Sequence, residues 1–211
     1  MGPRYGHLGD YSHVAFDKSG HNTHLGVSDT YTSLASSDIP GAIDSSEIYK
    51  FDNLNSPCVC KSPISDDVFK GAFTISVWFY RTNESNRAII SKADSLDGPT
   101  FDINRTFVMY ANGNMYVGET GNHQLITPIK SNEWTFLTLV RNGPITKSYI
   151  NGQLSSETTG VVVGHTDEDL QVAPQGDIGY VDDIKIYKKA LPAHEIGLEF
   201  EKSYRHEFLT R

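Results

Sequence analysis

Three Asn-Gly pairs in the second half of the chain constrain its fold more than any other sequence feature. They are Asn112-Gly113, Asn142-Gly143 and Asn151-Gly152, and each stands between short runs rich in β-branched and aromatic residues. Asn and Gly adopt positive φ angles at little cost, and a tight hairpin turn needs such angles to follow the right-handed twist of its strands. This region is therefore predicted to be a meander of antiparallel strands.

Two further segments indicate which side chains the sheets bury. In residues 73–80 every second side chain is apolar, which predicts one face in the core and a second face that is aromatic but partly polar. Residues 134–140 are apolar on both faces, which is typical of a central strand covered on two sides. Val, Ile and Thr together outnumber Ala, Leu and Met, so the composition also favours strands. The chain is therefore predicted to be all-β.

The end of the chain has a different pattern. Residues 190–196 predict a short helix with Pro192 in its first turn. Beyond residue 197, apolar side chains recur among charges at near-helical spacing, and these are Leu198, Phe200, Tyr204, Phe208 and Leu209. We interpret residues 1–197 as one domain and residues 198–211 as an amphipathic C-terminal segment. That segment either folds back on its own domain or docks on a neighbouring subunit.

The charge of the chain argues against two classes of partner. Lys and Arg number 18 against 26 Asp and Glu, so the formal net charge is −8. Such a chain lacks the positive field that attracts nucleic acid or an anionic lipid surface, and it has no apolar run long enough to cross a membrane. Residues 1–7 lack the apolar core of a secretory signal. We therefore expect synthesis in the cytosol, with a final location on a virion surface or outside the cell after release.

Several motifs follow one another in an order that is familiar from one protein family. They comprise an opening turn at residues 16–22 and the segments 73–78, 132–137, 148–152 and 179–187, the last followed by Leu191 and Ile196. This order resembles the laminin-G-like domains of the concanavalin A-like lectin/glucanase superfamily, over roughly residues 10–197. The resemblance implies a two-sheet antiparallel jelly-roll sandwich, here with a short C-terminal helix. Relatives include lectins, adhesion modules, pentraxins and some enzymes, so this fold alone does not define a function.

The sequence argues against a catalytic role. Glycan-cleaving enzymes of this superfamily carry Glu-x-Asp-x-Glu or Glu-x-Asp-x-x-Glu on one strand, because glycoside cleavage needs two carboxylates beside the bond. Neither pattern occurs in this chain, and neither does a Gly-x-Ser-x-Gly motif or a Cys with an obvious His partner. We therefore expect no catalytic residues, and glycan cleavage is kept as an alternative on fold analogy alone.

Two parts of the sequence predict a structural calcium ion. The segment Asp-x-Ser-Gly-x-Asn, from Asp17 to Asn22, places oxygen donors on a tight turn, and calcium binds such donors together with backbone carbonyls. Strand alternation places Asp182 on the same face as the isoleucines that follow it, in the core, where a carboxylate requires a cation or several hydrogen bonds. The resemblance implies that Asp17 and Asp182 lie near each other at this ion. Alternatively, Asp182 accepts backbone N–H bonds and binds no metal.

An acidic loop offers a second, alternative calcium site. Residues 165–169 follow a run of valines at the place where pentraxins carry a calcium-binding loop. Asp167 and Asp169 would be the ligands there, at an exposed rim. The other interpretation is a solvated acidic loop without metal.

Aromatic side chains on the partly polar strand face are the candidate ligand-binding residues. Aromatic rings stack well on sugar rings, and they also pack beneath loops in folds whose sheets are covered on both sides. Both interpretations apply to Trp78, Tyr80, Tyr110 and Tyr116.

These observations predict a non-catalytic recognition or adhesion protein that binds a glycan or glycoprotein and is braced by Ca²⁺. The alternative is a structural or decoration subunit of a larger assembly, such as the capsid or tail surface of a phage virion. In that case residues 198–211 would contact other subunits. We expect neither nucleic acid nor a membrane as a partner.

Overall fold

Backbone hydrogen bonding organises the β-branched and aromatic segments into fifteen strands and one α-helix among the residues that the structure describes. The computed structural model describes residues 13–15, 25–27, 32–34, 48–51, 60–62, 66–83, 86–94, 105–118, 124–126, 128–160, 169–172 and 179–208. Its elements are β1 (His13–Ala15), β2 (Leu25–Val27), β3 (Thr32–Leu34), β4 (Ile48–Phe51), β5 (Cys60–Ser62), β6 (Phe73–Arg81), β7 (Ala88–Ala93), β8 (Arg105–Tyr110), β9 (Asn114–Val117), β10 (Gln124–Ile126), β11 (Trp134–Asn142), β12 (Ile145–Ile150), β13 (Gln153–Thr158), β14 (Leu170–Val172), β15 (Gly179–Tyr187) and α1 (Ala193–Phe208).

The strands form two antiparallel sheets. The eight-stranded sheet has the order β1-β2-β5-β14-β7-β8-β9-β10, and the seven-stranded sheet has the order β13-β12-β11-β6-β15-β4-β3. Several neighbours in the sheets are distant in sequence, as where β6 pairs with β11 on one side and with β15 on the other. Two such sheets and one C-terminal helix confirm the predicted jelly-roll sandwich.

The main hydrophobic core lies between the facing surfaces of the two sheets. The side chains of β6 that alternation assigned to the core are fully buried there. Each large apolar side chain removed from water stabilises the fold by about 2 kcal/mol. The core includes Phe73, Ile75, Val77 and Phe79 from β6, Phe107 and Met109 from β8, and Leu137 and Leu139 from β11.

The predicted meander is confirmed at all three Asn-Gly pairs. They join β8 to β9, β11 to β12 and β12 to β13, and Gly113, Gly143 and Gly152 have φ angles of 88°, 59° and 77°. The central position predicted for residues 134–140 is also confirmed, because β11 lies between β6 and β12 and both of its faces are covered.

A β-bulge in β15 shows that the face predicted for Asp182 is wrong. The register between β15 and β6 shifts after Asp182, where Asp183 has a φ of 45°. Asp182 therefore pairs with Trp78, whereas Ile186 pairs with Ile75 in the core. Cross-strand partners share a face of the sheet, so Asp182 lies on the outer face. Simple alternation fails here because a bulge inserts one extra residue into the strand.

One continuous helix takes the place of the two helical pieces predicted at the C-terminus. Helix α1 begins at Ala193, directly after Pro192, and continues through residue 197 without a break. Its apolar side chains, Ile196 and Phe200, pack against the outer face of the seven-stranded sheet. Helix α1 therefore folds back on its own domain, which is one of the two predicted alternatives. Docking of residues 198–211 on another subunit stays a prediction.

Helix α1 comes very close to the β12–β13 hairpin at a pair of glycines. A Cβ atom added to Gly152 would lie 3.2 Å from the Cα atom of Gly197 and 3.2 Å from the Cβ atom of Phe200. Real Cβ atoms rarely come so near other carbons in a close-packed interior. Glycine at position 152 therefore meets two requirements at once, a positive φ angle and room for the helix.

We predict that Gly152→Ala destabilises the protein more than Gly143→Ala, the matched control. Both glycines have positive φ, but nothing lies within 4 Å of a Cβ at Gly143. The control should lose about 1 kcal/mol of unfolding free energy through backbone strain alone. Gly152→Ala should lose about 2–4 kcal/mol, because the helix must also shift. Urea unfolding measures both values, and equal losses would contradict the close approach of α1.

Candidate functional site

The outer face of the seven-stranded sheet has two neighbouring parts. Helix α1 covers the first part, where Trp78 and Phe136 form an aromatic cluster with Phe200. The Trp78 side chain is 1% exposed, and its Nε1 atom donates a hydrogen bond of 3.1 Å to the Ser203 hydroxyl. The ring of Trp78, a predicted ligand-binding residue, is thus in contact with the helix and closed to solvent.

Polar contacts also hold α1 on the sheet. The Glu199 carboxylate accepts a hydrogen bond of 3.2 Å from the Tyr187 hydroxyl and one of 3.4 Å from Lys185 Nζ. Burial, together with the charge of Glu199, raises the pKa of Tyr187 to about 12. Tyr187 therefore stays protonated, and keeps donating to Glu199, throughout the physiological pH range.

Three half-buried aromatic side chains lie side by side on the same face, next to the covered part. Trp134 on β11 is opposite Tyr80 on β6, and Tyr80 is opposite Tyr180 on β15. The ring centroids are 5.6 Å apart in both pairs, with interplanar angles of 63° and 69°. We call these three residues the aromatic row. It crosses three adjacent strands of the sheet.

The polar atoms of the aromatic row are not committed to other described residues. Neither the Tyr80 nor the Tyr180 hydroxyl hydrogen-bonds to another residue in the described part of the chain. Trp134 Nε1 is buried there and likewise has no hydrogen-bond partner. A surface of aromatic rings that carries available hydroxyls combines apolar contact area with hydrogen-bonding groups.

A glycine permits the close pairing of Tyr180 with Tyr80. Gly179, directly before Tyr180, has a φ of 117°, and a Cβ atom there would collide with the carbonyl oxygen of Tyr80. Residues other than glycine rarely adopt such a backbone conformation. The start of β15 can therefore lie against β6 beside the aromatic row.

The structure separates the four aromatic residues proposed from the sequence. Tyr110 and Tyr116 are on the eight-stranded sheet, where their rings form a buried edge-to-face pair with centroids 5.7 Å apart. The Arg105 guanidinium lies over the Tyr116 ring at 5.3 Å. Burial of Trp78, Tyr110 and Tyr116 agrees with the packing interpretation, so Tyr80 is the one of the four that lies in the aromatic row.

Sequence reasoning missed two members of the aromatic row. Trp134 begins a strand whose sequence predicts burial on both faces, and Tyr180 lies two residues before Asp182, the predicted calcium ligand. Their link to Tyr80 depends on the register of β11 and β15 against β6. The sequence signal that could have identified them is an aromatic residue at the end of each of three strands that meet at the same edge of the sheet.

Only some of the predicted calcium ligands lie in the part of the chain that the structure describes. Asp182 is 5% exposed, and its Oδ1 atom accepts a 2.7 Å hydrogen bond from the backbone N–H of Asp183. Asp17, Asn22 and Asp167 lie outside the described residues, and Asp169 is half-buried just before β14. Among the residues described, no three His, Cys, Asp or Glu side chains form a metal-binding group. The calcium site stays a prediction that depends on Asp17 and Asn22.

Sequence comparison gives the family of this fold. A laminin-G-type family model, described as the concanavalin A-like lectin/glucanases superfamily, matches residues 61–197. The chain belongs to this superfamily. The matched range contains β6, β11 and β15, and so all three members of the aromatic row. No curated protein sequence gives a significant match.

Solved structures with the same fold include binding domains of botulinum neurotoxins and of a mosquitocidal protein. The binding domain of Paraclostridial Mosquitocidal Protein 1 has a TM-score of 0.66 and 19% identity, over 89% of this chain and 49% of that one. The receptor-binding domain of botulinum neurotoxin C/D mosaic serotype has a TM-score of 0.66 and 15% identity, over 92% and 49%. The binding domain of botulinum neurotoxin DC, solved in complex with SialylT, has a TM-score of 0.61 and 15% identity, over 89% and 48%.

These comparisons confirm the jelly-roll fold and the superfamily that the sequence resembled. The present chain spans about half the length of the toxin domains that it matches. Within the described part of the chain, no helix has the length and apolar character needed to cross a lipid bilayer.

We predict that Phe200→Ala weakens the docking of α1, whereas Leu198→Ala on the same helix does not. Phe200 contacts Trp78 and Phe136, while the Leu198 side chain is 49% exposed. Phe200→Ala should cost about 2 kcal/mol or more, and Leu198→Ala at most about 0.5 kcal/mol. In a Trp134→Phe background, fluorescence reports Trp78 alone, and Phe200→Ala should shift its emission to the red. Unchanged emission would contradict the position of α1.

Proposed function

We propose that this chain is a non-catalytic module that recognises carbohydrate through the aromatic row. The observation that carries the proposal is the set of three half-buried rings on adjacent strands, with two uncommitted phenol hydroxyls. Sugar rings expose C–H groups on their faces and hydroxyls at their edges, so aromatic faces and nearby donors match them. Water leaves both surfaces when they meet, which contributes a favourable hydrophobic term.

The structural relatives give independent support for recognition. One is the receptor-binding domain of a botulinum neurotoxin, and another is a botulinum neurotoxin binding domain that was solved in complex with SialylT. Their identity to this chain is 15%, and this chain matches about half of each, so they support a recognition role without indicating which surface or ligand is used. The aromatic row supplies that surface in our proposal.

The charges of the described carboxylates support a role without catalysis. A glycosidase needs one carboxylic acid and one carboxylate facing each other across the scissile bond. Here Glu133, directly before Trp134, pairs with Lys130 at 3.5 Å, and Glu199 on α1 accepts a hydrogen bond from the Tyr187 hydroxyl. Asp182 caps the backbone of the bulge in β15. These three groups have structural partners, in keeping with a binding module.

Tyr80→Ala should abolish or strongly weaken carbohydrate binding, because Tyr80 is the central ring of the row. Loss of one stacked ring should reduce affinity about tenfold or more. A glycan array screened with the wild-type protein finds the ligand, and titration calorimetry with that ligand compares the variants. Tyr204→Ala is the matched control, since Tyr204 is 44% exposed on α1 and lies outside the row. Absence of any array signal, or equal effects of the two substitutions, would refute the proposal.

We further propose that a calcium ion braces the domain at Asp182 with Asp17 and Asn22. The supporting observations are the burial of the Asp182 carboxylate, whose Oδ1 atom accepts a hydrogen bond from the Asp183 N–H, and the oxygen donors that the sequence places from Asp17 to Asn22. A ligand that binds the native state alone stabilises it, so EDTA should lower the melting temperature and excess Ca²⁺ should restore it. In Asp17→Asn the melting temperature should be lower and no longer respond to EDTA. A wild-type melting temperature that EDTA leaves unchanged would exclude this ion.

An assembly role through residues 198–211 is an alternative that the exposed side chains Leu198 and Tyr204 favour. Apolar side chains on a solvent-facing helix surface suit contact with another protein subunit. This alternative includes the virion decoration role and a location on a particle surface. Light scattering of the full chain distinguishes it, because a monomer at high concentration would argue against assembly through α1.

A further inference from the structure

The aromatic row has a defined length. Neighbouring strands in a sheet are about 4.8 Å apart, so three rings on three strands extend over roughly 10 Å between the outer ring centres. On the β4 side, the position opposite Tyr180 is Lys50. On the other side, pairing of β11 with β12 ends at Leu137, so Trp134 has no partner on β12. The row is therefore three rings long and matches about three linked sugar units.

The rings of the row do not share a plane. Tyr80 is inclined by 63° to Trp134 and by 69° to Tyr180. A flat polysaccharide surface would need coplanar rings to contact all three at once. A single flexible chain can rotate about its glycosidic bonds and contact each ring in turn. The tilt therefore favours a free chain over an insoluble, ordered polymer.

The row also lies across the strands rather than along them. Its members are directly opposite one another in the register of β11, β6 and β15. Along β6 the next outer residue is Trp78, which α1 covers. A bound chain that followed β6 would therefore meet the helix after one ring. A chain that runs across the strands meets three rings.

We infer that the aromatic row binds one soluble, extended oligosaccharide chain that lies across β11, β6 and β15 and uses about three sugar units. This inference rests on the proposed function and specifies the class of its ligand. It differs from recognition of a single terminal sugar, in which one residue of the glycan makes nearly all the contacts. Trp134 and Tyr180 bind the two ends of the chain segment, and Tyr80 binds its centre.

The experiment measures affinity against chain length. Cello-, xylo- and chito-oligosaccharides of one to six units are titrated into the full chain by calorimetry. In the series that binds, affinity should rise at least tenfold from one unit to three or four units and then level off. Removal of an end ring, by Tyr180→Ala or by Trp134→Leu, should reduce the increase in affinity that the third sugar unit gives. Tyr204→Ala should leave the whole length series unchanged.

Tryptophan fluorescence gives a second readout, which does not require the Tyr180→Ala and Trp134→Leu variants to fold. The chain has two tryptophans, and Trp78 is closed to solvent beneath α1. In Trp78→Phe, emission reports Trp134 alone. Oligosaccharides of three or more units should change this emission, and the change should saturate at the concentration that calorimetry gives.

The outcomes separate the inference from the proposed function. If a monosaccharide binds as tightly as the hexasaccharide, or if the end substitutions leave the length series unchanged, the inference is wrong and carbohydrate recognition stands. Tight retention on microcrystalline cellulose would also overturn it, because the tilted rings exclude a flat polymer. If neither these series nor a glycan array gives binding, the proposed function fails together with the inference.

Discussion

The register of β6 between β11 and β15 is the constraint on which the rest of the structure depends. One face of β6 supplies Phe73, Ile75 and neighbouring core residues, and the other supplies Trp78 and Tyr80. Because side chains alternate along a strand, a slip by one residue would exchange these two faces. The same pairing therefore forms the core, the surface under α1 and the aromatic row.

Helix α1 decides which part of the outer aromatic face is available. Trp78 and Tyr80 are two residues apart on the same face, yet one is buried against Phe200 and the other lies in the aromatic row. The covered part stabilises the protein through apolar burial and the Trp78–Ser203 hydrogen bond. In the part beside the helix, Tyr80 and Tyr180 are half-buried, and their hydroxyls have no hydrogen-bond partner among the described residues. A continuous aromatic surface thus serves stability at one end and, in our proposal, recognition at the other.

Much of the fold was predictable because it follows from local chemistry. Asn-Gly turns need positive φ angles, and alternating apolar residues need one buried face, so the hairpins and the core face of β6 are visible in the sequence. The bulge at Asp182 was not predictable, because nothing in its alternating pattern marks the extra residue. Tyr80 was found as a candidate, whereas Trp134 and Tyr180 were missed, since cross-strand neighbours come from distant parts of the chain.

The sequence by itself determined the class of fold and the meander in the middle of the chain, because turn residues and side-chain periodicity act over a few residues, and the order of its motifs resembled the superfamily. The tertiary structure alone decided where each aromatic side chain lies. It placed Trp78 under α1, Tyr110 and Tyr116 in a buried pair, and Tyr80 between two rings from other strands. The physical reason is that burial and stacking depend on strand register and on helix docking, and both are set by contacts between residues far apart in the chain.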